Sequence, residues 1–239
     1  MPQYTLKDAG WRLLARLAVG NLLHKTTSAL GLGLASYREP ARSGSMRTIR
    51  ELRKQLDMGV TPLEAVQLLW LVRATAGLGG SMAEVGVYRG GTARMIRKVD
   101  NSRHLHLFDT FTGAPEPSAD DRSFLWGRAK KGRFAFPLEK VKSYFQDCDQ
   151  VSFHAGFFPA TGEAVKDEKF SFVHSDVGLY ESTRDVLEFF YPRLLRGGIF
   201  ISHDFATGHG VRKAIEEFFK ERPEPVVELP GNQALVVKL

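Results

Sequence analysis

Four carboxylates and a glycine cluster stand where a chain could handle a nucleoside-like ligand and a hydroxyl. The stretch Glu84-Val85-Gly86-Val87-Tyr88-Arg89-Gly90-Gly91-Thr92 closes an apolar run, and its glycines permit tight turning and close approach to the backbone. The spacing is not the Gly-x-Gly-x-x-Gly of dinucleotide-binding chains, and Glu84 would repel a phosphate. A ligand with an amino group and no phosphate suits it better. Asp109 closes the next apolar run, 23 positions after Gly86. There a carboxylate either accepts hydrogen bonds from two ribose hydroxyls or caps a local turn. In this order the two motifs point to S-adenosylmethionine, and the glycine spacing disfavours an NAD-dependent oxidoreductase.

Asp176 and Asp204 each follow a further apolar run. If those runs are neighbouring strands, the backbones lie roughly 5 Å apart and the two carboxylates converge. Their repulsion is relieved most simply by a hard divalent cation such as Mg²⁺. Such an ion makes an alcohol a usable nucleophile at neutral pH by stabilising the developing alkoxide. His174 has the strand parity to share a face with Asp176 and reads as a core histidine without an assigned role. The acids around Cys148 would raise its pKa, so it is not read as a nucleophile.

These residues must be positioned by alternating strands and helices. Strands are expected at 82–87, 104–109, 151–155, 170–176 and 198–204. Helices are expected at 91–99, 138–146, 181–195 and 209–221, with a short turn or helix near 159–166. Such alternation needs crossover connections, hence a doubly wound α/β sheet with helices on both faces. Pro230-Gly231-Asn232 between two apolar runs signals an antiparallel hairpin at the C-terminus. Upstream, Thr61-Pro62-Leu63-Glu64 reads as a capping box opening a helix, residues 47–56 as a charged helix, and 26–46 as a loose connector. The irregular stretch 110–137, with its basic run 128–133, is either a solvated insertion or a substrate lid.

The segments AEVGVYRGGTARMI, LFDTFTGAPEP, GLYESTRDVLEFFYPRLLRGGIFISHDF and GVRKAIEEFF resemble successive motifs of the macrocin and mycinamicin O-methyltransferase family, from about residue 61 to the hairpin. The resemblance implies a class I methyltransferase, Rossmann-like: seven strands, mostly parallel, the last inserted antiparallel. It implies that Glu84, Gly86, Tyr88, Gly90 and Gly91 surround the methionine part of S-adenosylmethionine, that Asp109, Thr110 and Phe111 border its ribose and adenine, and that Gly156 leaves room near the base. It also implies a metal bound at Asp176, His203 and Asp204, with Asp176 as the base and His203 as the alternative. The chain departs from its relatives in having His203-Asp204 where they carry two acids, and Gly178 where they carry an aspartate. His203 therefore signals Mn²⁺, Fe²⁺ or Zn²⁺ in place of Mg²⁺, a proton acceptor, or a local hydrogen bond with no metal at all.

The expected function is S-adenosylmethionine-dependent O-methylation of a small-molecule hydroxyl, on a sugar, a glycosylated natural product or a related metabolite. The alternative is a metal-independent or non-catalytic domain of the same type. At 239 residues the chain accommodates a helical extension, 1–60, and a catalytic domain, 61–239. Its single cysteine excludes an internal disulfide and points to a cytoplasmic setting. Residues 1–80 hold eleven Lys and Arg against five Asp and Glu, and the rest of the chain is balanced, which argues against nucleic acid as a partner. Residues 6–24 read as a helix packed on the domain or a partner subunit, or else as a basic helix on a membrane or a lipid-linked substrate. A homo-oligomer is the expected assembly.

Overall fold

Apolar strands separated by amphipathic helices have one simple solution, a parallel sheet covered on both faces. The computed structural model of the chain, which describes residues 40–121 and 130–239, adopts it. Seven strands run in the order β3-β2-β1-β4-β5-β7-β6. They are β1 (Ser81–Val85), β2 (Leu105–Asp109), β3 (Val151–Ala155), β4 (Phe170–Ser175), β5 (Leu194–Ser202), β6 (Val227–Glu228) and β7 (Ala234–Val237). The first five pair in parallel, while β7 lies antiparallel between β5 and β6. The mostly parallel seven-stranded sheet and C-terminal antiparallel hairpin are therefore as expected. Residues 44–239 form one compact unit.

Six helices flank the sheet among the described residues: α1 (Pro40–Arg53), α2 (Pro62–Ala74), α3 (Gly91–Val99), α4 (Leu138–Ser143), α5 (Tyr180–Phe190) and α6 (His209–Phe219). One core layer joins Val85, Phe108, Val173 and Phe200 of the sheet to Val186, Phe190, Val211 and Ile215 of α5 and α6. Ile49, Leu68, Leu69, Met82, Met95 and Leu105 are also fully buried. Burial of each such side chain stabilises the fold by about 1.5–3 kcal/mol.

Several boundaries differ from the sequence reading for identifiable reasons. The connector expected at 26–46 ends by residue 40, because Pro40 opens α1 instead of breaking it; proline suits a first helical turn, whose N–H has no partner in any case. Residues 6–24 lie outside the described residues. The helix expected at 181–195 stops at Phe190, since Pro192 cannot donate to the i−4 carbonyl, and β5 starts at Leu194 instead of 198. Its pairing with β4 steps from Phe170–Leu194 to Phe172–Ile199, so the extra residues around Gly197 bulge.

The stretch expected as an insertion or lid is tethered where it is described. Ala114 N–H donates to Arg133 O and Gly132 N–H to Ala114 O, both at 2.8 Å, closing its neck. Asp121, buried, accepts the backbone N–H of Tyr180 at 2.6 Å, in the first turn of α5, and Lys213 of α6 pairs with Asp120 at 2.8 Å. No helix among the described residues is long and apolar enough to cross a membrane.

Candidate active site

The loop from β1 to α3 is shaped by contacts of chain on chain. A Cβ at Gly86, whose φ is 89°, would lie 2.0 Å from the carbonyl oxygen of Asp176, and one at Gly91 would lie 2.3 Å from that of Asp57. Gly90, with φ 78°, precedes α3 at its cap position, and Tyr88 between them holds φ 49°. The glycines read as ligand-approach positions thus also let β1 pass the end of β4 and seat α3. The Tyr88 ring packs edge-on against Phe134 and Phe136.

Asp109 organises this loop. Its Oδ2 accepts the N–H groups of Val87 at 2.7 Å and Tyr88 at 2.8 Å, and Oδ1 accepts that of Phe111 at 2.7 Å. The turn-capping alternative is therefore realised, and of the carboxylate's roughly four acceptor positions one remains for a ribose hydroxyl. Thr110 donates to Gly113 O, Phe111 is nearly buried with φ 56°, and the Gly156 N–H reaches Asp109 O at 3.0 Å. Asp109, Thr110, Phe111 and Gly156 are accordingly neighbours at one end of β2 and β3.

Glu84 is fully buried on β1 opposite His174 of β4 in the strand register. His174 Nδ1 donates to its Oε1 at 2.7 Å. Burial pushes the Glu84 carboxyl up, and the His174 hydrogen bond offsets this only in part. Oε2 is buried without a well-formed hydrogen bond, although the Thr92 hydroxyl also acts on the carboxyl. A buried acceptor of this kind calls for a donor. His174, left without a role by its sequence, is the partner of Glu84.

Asp176 follows β4, and His203 and Asp204 follow its neighbour β5, so strand adjacency brings them together. The register pairs Ser175 with Ser202, and His203 N–H donates to Ser175 O at 2.9 Å. One ligand atom from each of Asp176, His203 and Asp204 lies within 4.8 Å of the other two. His203 Nδ1 is 3.4 Å from Asp176 Oδ1 and 3.4 Å from Asp204 Oδ1. Asp204 holds φ 61°, and a Cβ at Gly178 would come within 3.3 Å of its Oδ2. Burial disfavours the charged imidazole, but the three surrounding carboxylates prevail and push the His203 pKa far up. Asp176 moves the other way: burial, the largest single effect, raises its pKa, but the effects opposing it, led by the charge and hydrogen bond of His203, together more than offset it.

Two members of the site had been read only as local signals. Glu64 completes the capping box, its Oε2 accepting Thr61 N–H at 2.7 Å, but that oxygen also lies 3.5 Å from His203 Nε2. Its Oε1 accepts Asn232 N–H at 2.9 Å. Burial opposes the Glu64 carboxylate, and the bonds from His203 and Thr61 more than offset it, holding the pKa at about 2. Asn232, in the hairpin turn, donates through Nδ2 to Asp204 Oδ1 at 2.9 Å, and its Oδ1 accepts the N–H groups of Ala206 and Thr207. The Cys148 thiol is pushed up, by burial first, and forms no part of the site.

The donor set fits a divalent cation: two carboxylate oxygens and an imidazole nitrogen converge, and the second ring nitrogen faces a buried carboxylate. Metal-bound histidines characteristically have such a partner.

Comparison with known proteins gives the family. A family model for macrocin-O-methyltransferase (TylF) matches residues 58–229. The chain is 31% identical over 189 residues to the 8-demethyl-8-(2,3-dimethoxy-alpha-L-rhamnosyl)-tetracenomycin-C 4'-O-methyltransferase of Streptomyces olivaceus, covering 73% of this chain and 72% of that one. It is 31% identical over 156 residues to the mycinamicin III 3''-O-methyltransferase of Micromonospora griseorubida, covering 59% and 61%. In fold it is similar to the calicheamicin methyltransferase CalS11, with a TM-score of 0.60, 21% identity and coverage of 86% and 97%. On the family match across most of its length, and the conjunction of glycine loop, Asp109 and strand-end acids, the chain belongs to the macrocin-O-methyltransferase family of S-adenosylmethionine-dependent O-methyltransferases.

Proposed function

We propose that this enzyme methylates a sugar hydroxyl of a glycosylated small molecule, with Asp176 as proton acceptor and a divalent cation held by Asp176, His203 and Asp204. The observation that carries the reading is the convergence of those three ligand atoms within 4.8 Å, beside the loop in which Gly86 meets the Asp176 backbone. Relatives named for rhamnosyl and other glycosylated acceptors support the substrate class.

The chain's own residues supply most of the requirements. The Glu84 and Asp109 loop seats the methyl donor above β1 and β2, while the acids after β4 and β5 receive the acceptor, so neighbouring strand ends set the approach of oxygen to methyl. The methyl passes from the sulfonium to the acceptor oxygen as the hydroxyl proton passes to Asp176. A lowered pKa keeps Asp176 ionised to receive it, and the raised pKa of His203 makes the imidazole a poor alternative base. When bound, the cation polarises the hydroxyl and orients it. Asn232 and Glu64 hold Asp204 and His203 in place.

Methyl transfer to rhamnosylated acceptors, followed by mass spectrometry with and without a chelator, tests the reading. A mass gain of one methyl that chelator suppresses is the expected result. No transfer to any glycoside would overturn the substrate class. A second reading rests on the strongly raised pKa of His203: its imidazolium supplies the positive charge instead of a metal. Full activity in chelator would select it.

A further inference from the structure

Glu64 is buried deep in the molecule, yet only half of its bonding is spent on the helix it caps. Oε2 accepts Thr61 N–H and faces His203 Nε2 at 3.5 Å, while Oε1 accepts Asn232 N–H. An anionic oxygen beside a ring nitrogen is tolerable only if that nitrogen carries its hydrogen. Nδ1 stands equally between Asp176 and Asp204, each 3.4 Å away, so without a cation both ring nitrogens carry hydrogen, in keeping with the raised pKa. A cation bound at that point would take the place of the Nδ1 hydrogen and leave the Nε2 hydrogen directed at Glu64.

Resting on the metal-assisted reading above, we infer that Glu64 is a positioning residue that holds His203 in the Nε2–H form, so that Nδ1 becomes a metal ligand and the site prefers borderline ions such as Mn²⁺, Fe²⁺ or Zn²⁺ over Mg²⁺. An imidazole nitrogen suits those ions, whereas Mg²⁺ favours oxygen. Asn232 reinforces the arrangement from the other side by holding Asp204 Oδ1 at 2.9 Å. The capping box gives the carboxylate a rigid mount, because Glu64 stands on the first turn of α2 and cannot swing away without uncapping it.

The test is metal binding by the whole chain, without substrate. Calorimetry with Mn²⁺ and Mg²⁺ should give at least about tenfold tighter Mn²⁺ binding, and pulsed electron paramagnetic resonance of bound Mn²⁺ should show a directly coordinated nitrogen that is absent in His203→Asp. Glu64→Gln should weaken Mn²⁺ binding about 10- to 100-fold, the usual cost of losing a ligand's orienting partner. It should also shift the Nε2–H resonance of His203 in ¹⁵N spectra of the Zn²⁺-loaded protein, because the acceptor of that hydrogen is no longer a carboxylate. Thr61→Ala removes the cap without touching His203, and should lower stability with Mn²⁺ affinity unchanged. Equal Mn²⁺ and Mg²⁺ affinity, no nitrogen coupling, or a Thr61→Ala loss of Mn²⁺ affinity as large as that of Glu64→Gln would each overturn the inference. Methyl transfer that persists in chelator would overturn the metal-assisted reading itself, and these binding measurements distinguish the two failures.

Discussion

In the proposed mechanism Asp176 carries the heaviest chemical load of any single side chain. Asp176→Asn keeps its shape but cannot take a proton, so kcat should fall about 10²- to 10⁴-fold while binding of S-adenosylmethionine by calorimetry changes little. An unreduced kcat would remove Asp176 as the base. Asn232→Ala takes from Asp204 its amide donor and frees the N–H groups of Ala206 and Thr207, which should cost about 1–3 kcal/mol in denaturant unfolding. Asp176 and Asp204 were legible in the sequence because each directly follows an apolar run, and strand ends are where open sheets place their ligands. His203 was legible only through the family resemblance, as the residue standing where relatives carry an acid. Glu64 and Asn232 were not. Their local signals, a capping box and a turn, were complete explanations in themselves, and only the sheet brings residues 64, 203 and 232 together.

At the scale of elements, the passage of β1 beside β4 is the tightest constraint. Gly86→Ala would force a Cβ to within 2.0 Å of a backbone oxygen at a φ of 89°. The loop or the strand end must then shift, and we expect a loss of stability of more than about 2 kcal/mol together with weakened cofactor binding. Thermal unfolding equal to that of the parent would show that the loop has slack. The order of elements was readable from alternation of apolar runs, whereas their edges were not where proline had two meanings. Pro40 and Pro62 open helices and Pro192 ends one, a difference decided by whether the missing N–H falls in a first turn. The tethering of the stretch after β2 was also illegible, since Asp121 caps a helix 59 positions away.

Across the whole molecule, acid sensitivity should arise far from the chemistry. Rings of His104, His106 and His154 stack along β2 and β3, and His106 Nε2 meets Glu168 at 3.0 Å. Burial depresses His106 to about 4 against the pull of Glu168, with His104 and His154 adding to the depression. His154 is lowered as well, by burial first. The unfolded chain takes up protons near pH 6.5 that the folded chain refuses, so stability falls as pH drops from about 6.5 toward 4. Melting at pH 5 should come about 5 °C below that at pH 6.5, a window in which the raised pKa of His203 changes its contribution little, and His106→Gln should narrow the gap. An unchanged gap would place the sensitivity in other groups.

Hairpin tips are ordinarily the places where a chain accepts foreign sequence or new termini. This chain's turn at 230–232 is an exception. It hands a backbone N–H to Glu64 and a side-chain amide to Asp204, and Gly231 comes so close that a Cβ would lie 3.0 Å from Glu64 Oε1. A permuted or peptide-inserted enzyme opened at this tip would keep its sheet yet lose its turnover, making a surface loop as intolerant of engineering as a buried ligand.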